Sequence, residues 1–275
     1  MLKNLKISIF QMQSRKRAED NVVSVEKAAE KALGQDILIL PEYSGSLNKN
    51  VRELKEYVSS KSEDSFIKAC REIAIKNNLW IHIGSTPIKN RGKLVNHSAL
   101  INNKGRIVAT YDKLHMFDIY PDGKKPILES NHYRPGTKGV LAATPWGRWG
   151  MSICYDLRFP YLYRNYAQNG ANILFIPSAF TTIAGDAHWE VLLRARAIET
   201  GCWVIAAAQV GQHEDGRETY GHSLVINPWG KIIADLGGKC VSQLNIEINT
   251  QEVEIARQKI SSYKLDKGFN LKVLE

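Results

Sequence analysis

The chain has 275 residues, of which 44% are hydrophobic and 24% are charged, and its formal net charge at pH 7 is +9. These fractions are close to those of ordinary globular domains, so intrinsic disorder and collagen-like structure are poor interpretations. The basic residues are scattered and form no zinc-finger or RNA-binding motif, so the positive charge does not indicate a nucleic-acid-binding protein.

No segment of the sequence predicts export or insertion into a membrane. The N-terminus lacks a basic segment followed by an apolar stretch and a cleavage site, and no apolar run approaches about 18 residues. The four cysteines are far apart and form no CxxC pair: they are Cys70, Cys154, Cys202 and Cys240. Such spacing is typical of reduced thiols, so we expect a cytoplasmic protein without a membrane partner.

The first half of the sequence predicts alternating strands and helices. Apolar residues at helical spacing indicate the helices, and short apolar or alternating runs indicate the strands. In chain order the predicted elements are a strand over 6–10, a helix over 18–33, a strand over 36–40, a helix over 62–78, a strand over 79–85 and a hairpin of 96–103 with 106–113. The run over 36–40 is mostly apolar, which is typical of a strand covered on both faces.

A long loop is predicted from Leu114 to about Pro145. Its turn-forming residues are Pro121, Gly123, Pro126, Pro135 and Gly136. A loop of that length in a compact domain is usually functional, so we expect this one to contribute to function.

The second half of the sequence also predicts alternating strands and helices. Its predicted elements are a strand over 149–155, a helix around 158–169, a strand over 171–178, a helix over 186–200 with Asp186 as N-cap, a strand over 202–210 and a hairpin over 221–237. The tail over 261–275 has no clear period, so we expect it to be loose or to pack on a partner subunit. Alternating strands and helices with hairpins predict a single α/β domain over 1–275 with mixed sheets in layers.

Three polar residues fall at the carboxyl ends of different predicted strands: Glu42, Lys113 and Cys154. Ligands gather at that edge in open α/β sheets, so a nucleophile, a base and a cation that meet there form a plausible active site. Each residue alone is better explained as a core cysteine or a solvated charge. The three together favour catalysis.

The chemistry expected of these residues is acyl transfer. Cys154 is predicted where a strand meets a helix, so its thiolate would gain from exposed backbone N–H groups. Glu42 would take the thiol proton and later activate water. Lys113 and the backbone N–H of Tyr155 would stabilise the oxyanion. Cys154 would thus form a thioester with the acyl group of an amide, and no cofactor would be required.

Other catalytic classes lack their motifs. The seven histidines form no HExxH pattern and do not combine with cysteine at zinc-site spacing. The G-x-S-x-G of serine hydrolases, the P-loop and the G-x-G-x-x-G are also missing. We therefore expect neither a metal nor a nucleotide at the site.

Three segments make the sequence recognisable: LPEYS (40–44), YDKLHMFD (111–118) and GMSICYDLRFP (150–160). They resemble the three motif regions of the nitrilase superfamily of carbon–nitrogen hydrolases, and the resemblance spans nearly the whole chain. It implies a four-layer α-β-β-α sandwich of two mixed sheets. It also implies that the sandwich pairs with another subunit as a homodimer or higher homo-oligomer.

The resemblance also assigns the catalytic residues. The Glu-Lys-Cys triad of the superfamily falls on Glu42, Lys113 and Cys154. A second glutamate of the superfamily, which helps to position the substrate and the catalytic groups, falls on Glu129. The alternative for Glu129 is a surface carboxylate.

Three further segments narrow the resemblance to one branch of the superfamily. Residues 178–200, 206–211 and 220–230 look like the branch that contains the deaminated-glutathione amidases. Those enzymes cleave the γ-glutamyl amide of glutathione that has lost its amino group, releasing 2-oxoglutarate and cysteinylglycine. The first alternative is a different amide, such as α-ketoglutaramate or an N-carbamoyl compound. The others are a non-catalytic binding or scaffold protein and an amidase that feeds ammonia to a synthetase.

A dicarboxylate-like substrate needs a cation near the pocket, and Arg158 is the candidate because arginine makes bidentate contacts with carboxylates. Its alternative role is an ion pair with Asp156 or another acid. Phe180 would line the pocket, although an aromatic residue at a strand end is as often plain core. The helix that follows, with Glu190 and Arg194 at i, i+4 spacing, is interpreted mainly as a packing or dimer surface.

Overall fold

The computed structural model describes residues 4–120, 123 and 125–274. Pro121 of the predicted loop and Glu275 of the predicted tail lie outside the described residues, and so do residues 1–3, 122 and 124 of the predicted domain. The strands are β1 Asn4–Gln11, β2 Ile37–Ile39, β3 Trp80–Asn90, β4 Lys93–Ile101, β5 Ile107–Asp112, β6 Asp118–Ile119, β7 Ile127–Leu128, β8 Val140–Thr144, β9 Gly147–Met151, β10 Ala171–Phe175, β11 Trp203–Ala206, β12 Val210–Gln212, β13 Glu218–Tyr220, β14 Leu224–Ile226, β15 Ile232–Asp235 and β16 Ser242–Asn249. The helices are α1 Ala18–Lys31, α2 Val51–Tyr57, α3 Ser65–Lys76, α4 Pro160–Gln168, α5 Thr182–Thr200 and α6 Glu252–Lys259. None of these helices combines the length and the apolar character that a membrane span requires.

Two six-stranded mixed sheets form the framework of the protein. The strand order is β16-β1-β2-β3-β4-β5 in one sheet and β15-β14-β11-β10-β9-β8 in the other. Three strands at the centre of each sheet run parallel, β1 to β3 in the first and β9 to β11 in the second. The flanking strands pair antiparallel. This repeated arrangement explains why strands and helices alternate in the same way in the two halves of the sequence.

The sheets pack face to face, and helices cover their outer faces. Strand β2 illustrates both contacts: Ile37 and Ile39 face the core shared with the second sheet, whereas Leu38 faces the helices. Val25 of α1 and Phe66 of α3 belong to that outer core, and α4 and α5 contact β10 and β11 of the second sheet. The sequence of a strand that is buried on both faces is a continuous apolar run. The predicted four-layer α-β-β-α sandwich is therefore confirmed.

The prediction of one long loop from Leu114 to about Pro145 was wrong. Strands β6 and β7 pair with each other in this segment, and β8 pairs with β9 as the edge of the second sheet. Strand β8 is short and only partly buried, so its apolar residues do not stand out among the surrounding prolines and glycines. The predicted hairpins of β4 with β5 and of β14 with β15 are confirmed. Neither β16 nor α6 was predicted from the sequence.

The predicted start of α5 was also wrong. The helix begins at Thr182, and Thr181 instead of Asp186 is its N-cap. The backbone N–H of Gly185 donates to the Thr181 carbonyl at 2.8 Å and closes the first turn. A Cβ at position 185 would lie only 2.2 Å from the Tyr220 ring. The first turn is therefore packed against β13, a contact that local sequence does not reveal.

Candidate active site

The side chains of Glu42, Lys113 and Cys154 meet, although they follow three different strands. Glu42 comes after β2, Lys113 directly after β5, and Cys154 after β9, which ends at Met151 instead of at the predicted residue 155. Lys113 Nζ lies 3.1 Å from Glu42 Oε1. The Cys154 thiol lies beside them, close enough that Glu42, Lys113 and the backbone N–H of Ala179 all shift its pKa. The predicted base and cation are therefore in direct contact, and the predicted nucleophile lies beside them.

Glu42 is buried and fixed by several donors. Its carboxylate Oε1 accepts hydrogen bonds from Lys113 Nζ at 3.1 Å and from Asn96 Nδ2 at 3.0 Å. Oε2 accepts one from the backbone N–H of Ala179 at 2.9 Å. Gln209 Nε2 donates to the backbone carbonyl of Glu42 at 2.8 Å. These four donors hold the Glu42 side chain and backbone in one orientation, as a general base requires.

Glu129 completes the buried cluster. Its Oε2 lies 2.9 Å from Lys113 Nζ and accepts a hydrogen bond from the Phe117 backbone N–H at 2.6 Å. Its Oε1 accepts a hydrogen bond from the Tyr43 hydroxyl at 3.1 Å. The side chain is only 7% exposed. The alternative of a surface carboxylate was therefore wrong, and Glu129 lies where it can position Lys113.

Lys113 carries its charge between two buried carboxylates. Burial by itself lowers the pKa of Lys113, but the nearby Glu129, Glu42 and Cys154 outweigh it and hold that pKa well above its usual value. The ammonium group therefore remains charged at neutral pH. A fixed charge in a site shielded from water is suited to stabilise an oxyanion.

The nucleophile lies in a strained turn. Cys154 has a φ of 50° and opens a 3-10 turn over Cys154–Arg158, and Tyr43, beside Glu42, has a φ of 59°. Left-handed conformations of this kind cost on the order of 1–3 kcal/mol each for residues other than glycine and cluster at functional sites. Tyr155 is the second residue of the same turn, so its backbone N–H remains the predicted second donor to the oxyanion.

The Cys154 thiol is protonated before reaction. Burial raises its pKa well above the usual value and Glu42 raises it further, whereas Lys113 and the backbone N–H of Ala179 lower it. A thiolate is the reactive form of cysteine, so the proton must leave the sulfur during attack. The carboxylate of Glu42 lies beside the thiol and is the natural acceptor.

Asp156 anchors the turn that carries the nucleophile. Its side chain is fully buried and accepts hydrogen bonds from the Ile153 backbone N–H at 2.9 Å and the Tyr111 hydroxyl at 2.7 Å. Its Oδ1 also forms a hydrogen bond with His115 Nδ1 at 2.7 Å. The alternative in which Asp156 pairs with Arg158 was therefore wrong.

Arg158 lies between two aromatic rings. Its guanidinium carbon is 5.7 Å from the ring centroid of Tyr155 and 5.6 Å from that of Phe180, and its Nη2 is 3.3 Å from His188 Nδ1. No carboxylate of the described residues forms an ion pair with it. Phe180 is 7% exposed and also packs on Trp189, with ring centroids 4.8 Å apart. Arg158 is thus free to bind an anion, and Phe180 belongs to both core and site.

The short turn that carries Glu42 depends on a glycine in β3. A Cβ at Gly84 would lie 2.2 Å from the carbonyl oxygens of Leu40 and Pro41. Its neighbour Ser85 accepts a hydrogen bond from the Tyr43 backbone N–H through Oγ at 2.8 Å. The absence of a side chain at position 84 therefore lets β3 approach and hold the turn.

Two residues that contact Glu42 were not predicted from the sequence. Asn96 donates to its carboxylate and Gln209 to its backbone carbonyl. Both are polar residues inside apolar strand-like runs, and that feature is the signal by which they could have been found. In the part of the chain that the structure describes, no group of three or more His, Cys, Asp or Glu side chains could hold a metal ion.

Comparisons with known proteins agree with this fold. The chain matches the model of the carbon–nitrogen hydrolase family over residues 6–264. It is 36% identical over 263 residues to a deaminated glutathione amidase of Yersinia enterocolitica, which covers 94% of this chain and 92% of that protein. Its fold resembles the crystal structure of the C. elegans NitFhit protein, with a TM-score of 0.88 and 35% identity over 96% of this chain; the chain spans only 65% of that protein. It also resembles Saccharomyces cerevisiae Nit3, a member of branch 10 of the nitrilase superfamily, with a TM-score of 0.83 and 27% identity over 94% of each chain. The chain therefore belongs to the carbon–nitrogen hydrolase family.

Proposed function

We propose that this carbon–nitrogen hydrolase cleaves deaminated glutathione, through a thioester on Cys154, into 2-oxoglutarate and cysteinylglycine. The observation that carries the proposal is the buried cluster in which Glu42 contacts Lys113 at 3.1 Å and the Cys154 thiol lies beside both. The substrate is supported by the similarity to the Yersinia enterocolitica amidase along 94% of this chain.

The first half of the reaction forms the thioester. The Cys154 sulfur attacks the amide carbonyl carbon while Glu42 takes the thiol proton, and the carbonyl electron pair moves onto oxygen. Lys113 and the backbone N–H of Tyr155 stabilise this oxyanion. The oxyanion then collapses, the C–N bond breaks, and the amine leaves with the proton that Glu42 had accepted.

The second half of the reaction releases the acid. Glu42, again ionised, removes a proton from water as the water oxygen attacks the thioester carbon. The C–S bond breaks, and the sulfur regains a proton from Glu42. Glu129 contributes by holding Lys113, since its Oε2 lies 2.9 Å from Nζ. The two halves together return Glu42 and Cys154 to their starting forms and consume one water, so no cofactor is needed.

Arg158 binds the carboxylate at the keto-acid end of the substrate. Its guanidinium lies against Tyr155 and Phe180, and Tyr155 directly follows the nucleophile. Arginine forms paired hydrogen bonds with carboxylates, so it orients an anionic acyl group well. Phe180 would pack against the aliphatic part of that group.

Kinetics on a small panel of amides test the proposed substrate. We expect kcat/KM for deaminated glutathione to exceed that for α-ketoglutaramate and for N-carbamoyl amino acids by about tenfold or more, because contacts with additional substrate groups contribute about that much discrimination. A higher kcat/KM for either competitor would overturn the choice of substrate. Absence of both hydrolysis and a thioester adduct on Cys154 would favour a non-catalytic binding or scaffold protein.

We also propose that the protein is a homodimer whose interface includes the outer face of α5. Val191 and Ile198 lie seven residues apart on this helix and are 68% and 55% exposed. Trp229 is 57% exposed, and Gly230, next to it, adjoins Ile198. A contiguous exposed apolar patch of this kind is typical of a protein–protein interface. The exposed ion pair of Glu190 with Arg194, at 3.2 Å, lies on the same helix.

Sedimentation tests the dimer. We expect the wild-type protein to sediment as a dimer and Ile198→Glu to sediment as the 31.0 kDa monomer, because the substitution buries an unpaired charge at the interface. Ile75→Glu is the matched control, since Ile75 is 57% exposed on α3, and it should remain a dimer. A monomeric wild type, or a dimeric Ile198→Glu, would contradict the proposed interface.

A cytoplasmic location and a single domain are part of the same proposal. All four cysteines are free, and Cys70, Cys154 and Cys202 are buried, which suits a reducing compartment. The strands of both sheets contribute to one hydrophobic core, which supports one domain over 1–275 with residues 261–275 as a tail. Leu265 and Phe269 of that tail are 71% and 84% exposed.

A further inference from the structure

A second arginine lies beside the catalytic cluster and contacts a different ring from those that Arg158 contacts. Arg217 immediately precedes β13, and its guanidinium carbon is 5.4 Å from the ring centroid of Tyr43. The hydroxyl of Tyr43 donates to Glu129 at 3.1 Å, and Glu129 contacts Lys113. A single aromatic ring therefore separates this guanidinium from the buried cluster.

The guanidinium of Arg217 is held in one orientation. Its Nε and Nη2 each lie 2.7 Å from Asp215 Oδ2. Asp215 is fixed in turn by the backbone N–H groups of Lys49 and Arg217, at 2.8 and 3.0 Å. An arginine that is already oriented loses little conformational freedom when it binds a ligand.

The same guanidinium retains free donors. Within the described residues its Nη1 has no hydrogen-bond partner, and its side chain is 32% exposed. The carboxylates near it are already engaged, Asp215 with Arg217 itself and Glu129 with Lys113. Arg217 can therefore receive an anionic group from solution beside the active site.

We propose that Arg217 binds the carboxylate at the far end of the leaving amine. The preferred substrate class is then an amide whose amine portion is peptide-like and ends in a carboxylate. This inference rests on the proposed function, in which Arg158 takes the carboxylate of the acyl portion. Deaminated glutathione has one carboxylate at each end, so two arginines on different walls of the site match its two charges.

The length of the leaving group fits this assignment. Cysteinylglycine is a dipeptide, and two extended residues span about 7 Å. That span is of the same order as the 5.4 Å between the Arg217 guanidinium carbon and the centroid of the Tyr43 ring, whose hydroxyl contacts Glu129. An unsubstituted amide such as α-ketoglutaramate releases only ammonia and would not reach Arg217.

Three substrates and one substitution test the assignment. They are deaminated glutathione, the same molecule with its glycine carboxylate converted to a carboxamide, and α-ketoglutaramate. We expect wild-type kcat/KM to favour the carboxylate over the carboxamide, and Arg217→Gln to reduce that preference by about 10- to 100-fold, mainly through KM. Turnover of α-ketoglutaramate, which lacks the carboxylate of a leaving amine, should fall much less than turnover of deaminated glutathione. The ratio of two substrates within one preparation does not depend on how much of the variant is folded.

Two further variants sharpen the result. Arg15→Gln is the matched control, because Arg15 pairs with Glu214 at 3.1 Å in an exposed position, and it should keep the wild-type preference. Arg217→Lys should keep part of it, because the charge remains while the paired geometry is lost. A structural role for Arg217 would instead lower activity on all three substrates equally.

The outcomes separate this inference from the function on which it rests. Wild-type enzyme that hydrolyses deaminated glutathione but does not prefer the carboxylate would overturn the role of Arg217 alone. An equal loss on all three substrates in Arg217→Gln would do the same. Wild-type enzyme that hydrolyses no glutathione-derived amide would overturn both proposals.

Discussion

Cys154→Ala is expected to lower kcat by about 10⁴-fold or more while leaving the fold intact. The substitution removes the sulfur that forms the thioester, and no other nucleophile of the cluster can replace it, since Glu42 and Glu129 are both held by hydrogen bonds. Alanine can occupy the positive-φ turn about as readily as cysteine does, because both carry a Cβ. Hydrolysis of the preferred amide measures the loss, and circular dichroism with thermal unfolding measures the fold.

A matched variant and a trapping experiment make this prediction specific. Cys70→Ala removes a buried thiol from α3, away from the site, and should retain nearly all activity. Mass spectrometry of quenched wild-type enzyme should detect the acyl group on Cys154, and the Cys154→Ala variant should carry none. Retained turnover in Cys154→Ala would refute the nucleophile assignment.

Lys113→Met is expected to abolish activity and to destabilise the protein by about 3–5 kcal/mol. Removing the ammonium group leaves Glu42 and Glu129 buried without their shared counter-ion, at positions that are 2% and 7% exposed. It also removes a group that stabilises the oxyanion. Denaturant unfolding measures the stability, and the amide assay measures the activity.

The stability that the Lys113 charge contributes depends on pH in a defined direction. Glu129 and Glu42 hold the pKa of Lys113 above its usual value despite burial, so its charge stabilises the fold at every pH below about 10.4 and that contribution disappears only in strong alkali. The difference in unfolding free energy between the wild type and Lys113→Met should therefore narrow only as the pH rises above about 10.4.

A control at the surface separates the buried charge from a general effect of losing a lysine. Lys68→Met removes an exposed lysine from α3, and its stability should change by no more than about 0.5 kcal/mol. Lys113→Met with wild-type stability and activity would show that the buried cation has neither role.

The site is built so that the cation serves both stability and reaction. Lys113 bridges Glu42 and Glu129, at 3.1 and 2.9 Å, and the Cys154 thiol lies beside Glu42 and Lys113. Breaking one buried contact therefore disturbs the base, the cation and the nucleophile together. Substitutions within this cluster should for that reason be strongly non-additive.

Local sequence patterns determined much of the fold of this protein. The apolar run at β2 predicted a strand buried on both faces, and Ile37 and Leu38 do face different cores. Asp64, at the start of the predicted helix over 62–78, caps α3 by accepting the Ile67 backbone N–H at 2.8 Å. Periodicity and capping depend on neighbours within a few residues, so a single sequence contains them. The motifs around Glu42, Lys113 and Cys154 likewise required only short segments.

Only the tertiary structure decided how the site is held together. Gln209 donates to Glu42 across 167 positions, and the Ala179 backbone N–H donates to the same residue across 137. The start of α5 depends on Tyr220, and Arg217 reaches the site only because its turn folds back onto Tyr43. Such contacts arise from how the two sheets pack, and no local propensity or spacing encodes them. The sequence thus determined which groups could react, and the packing determined which groups orient them.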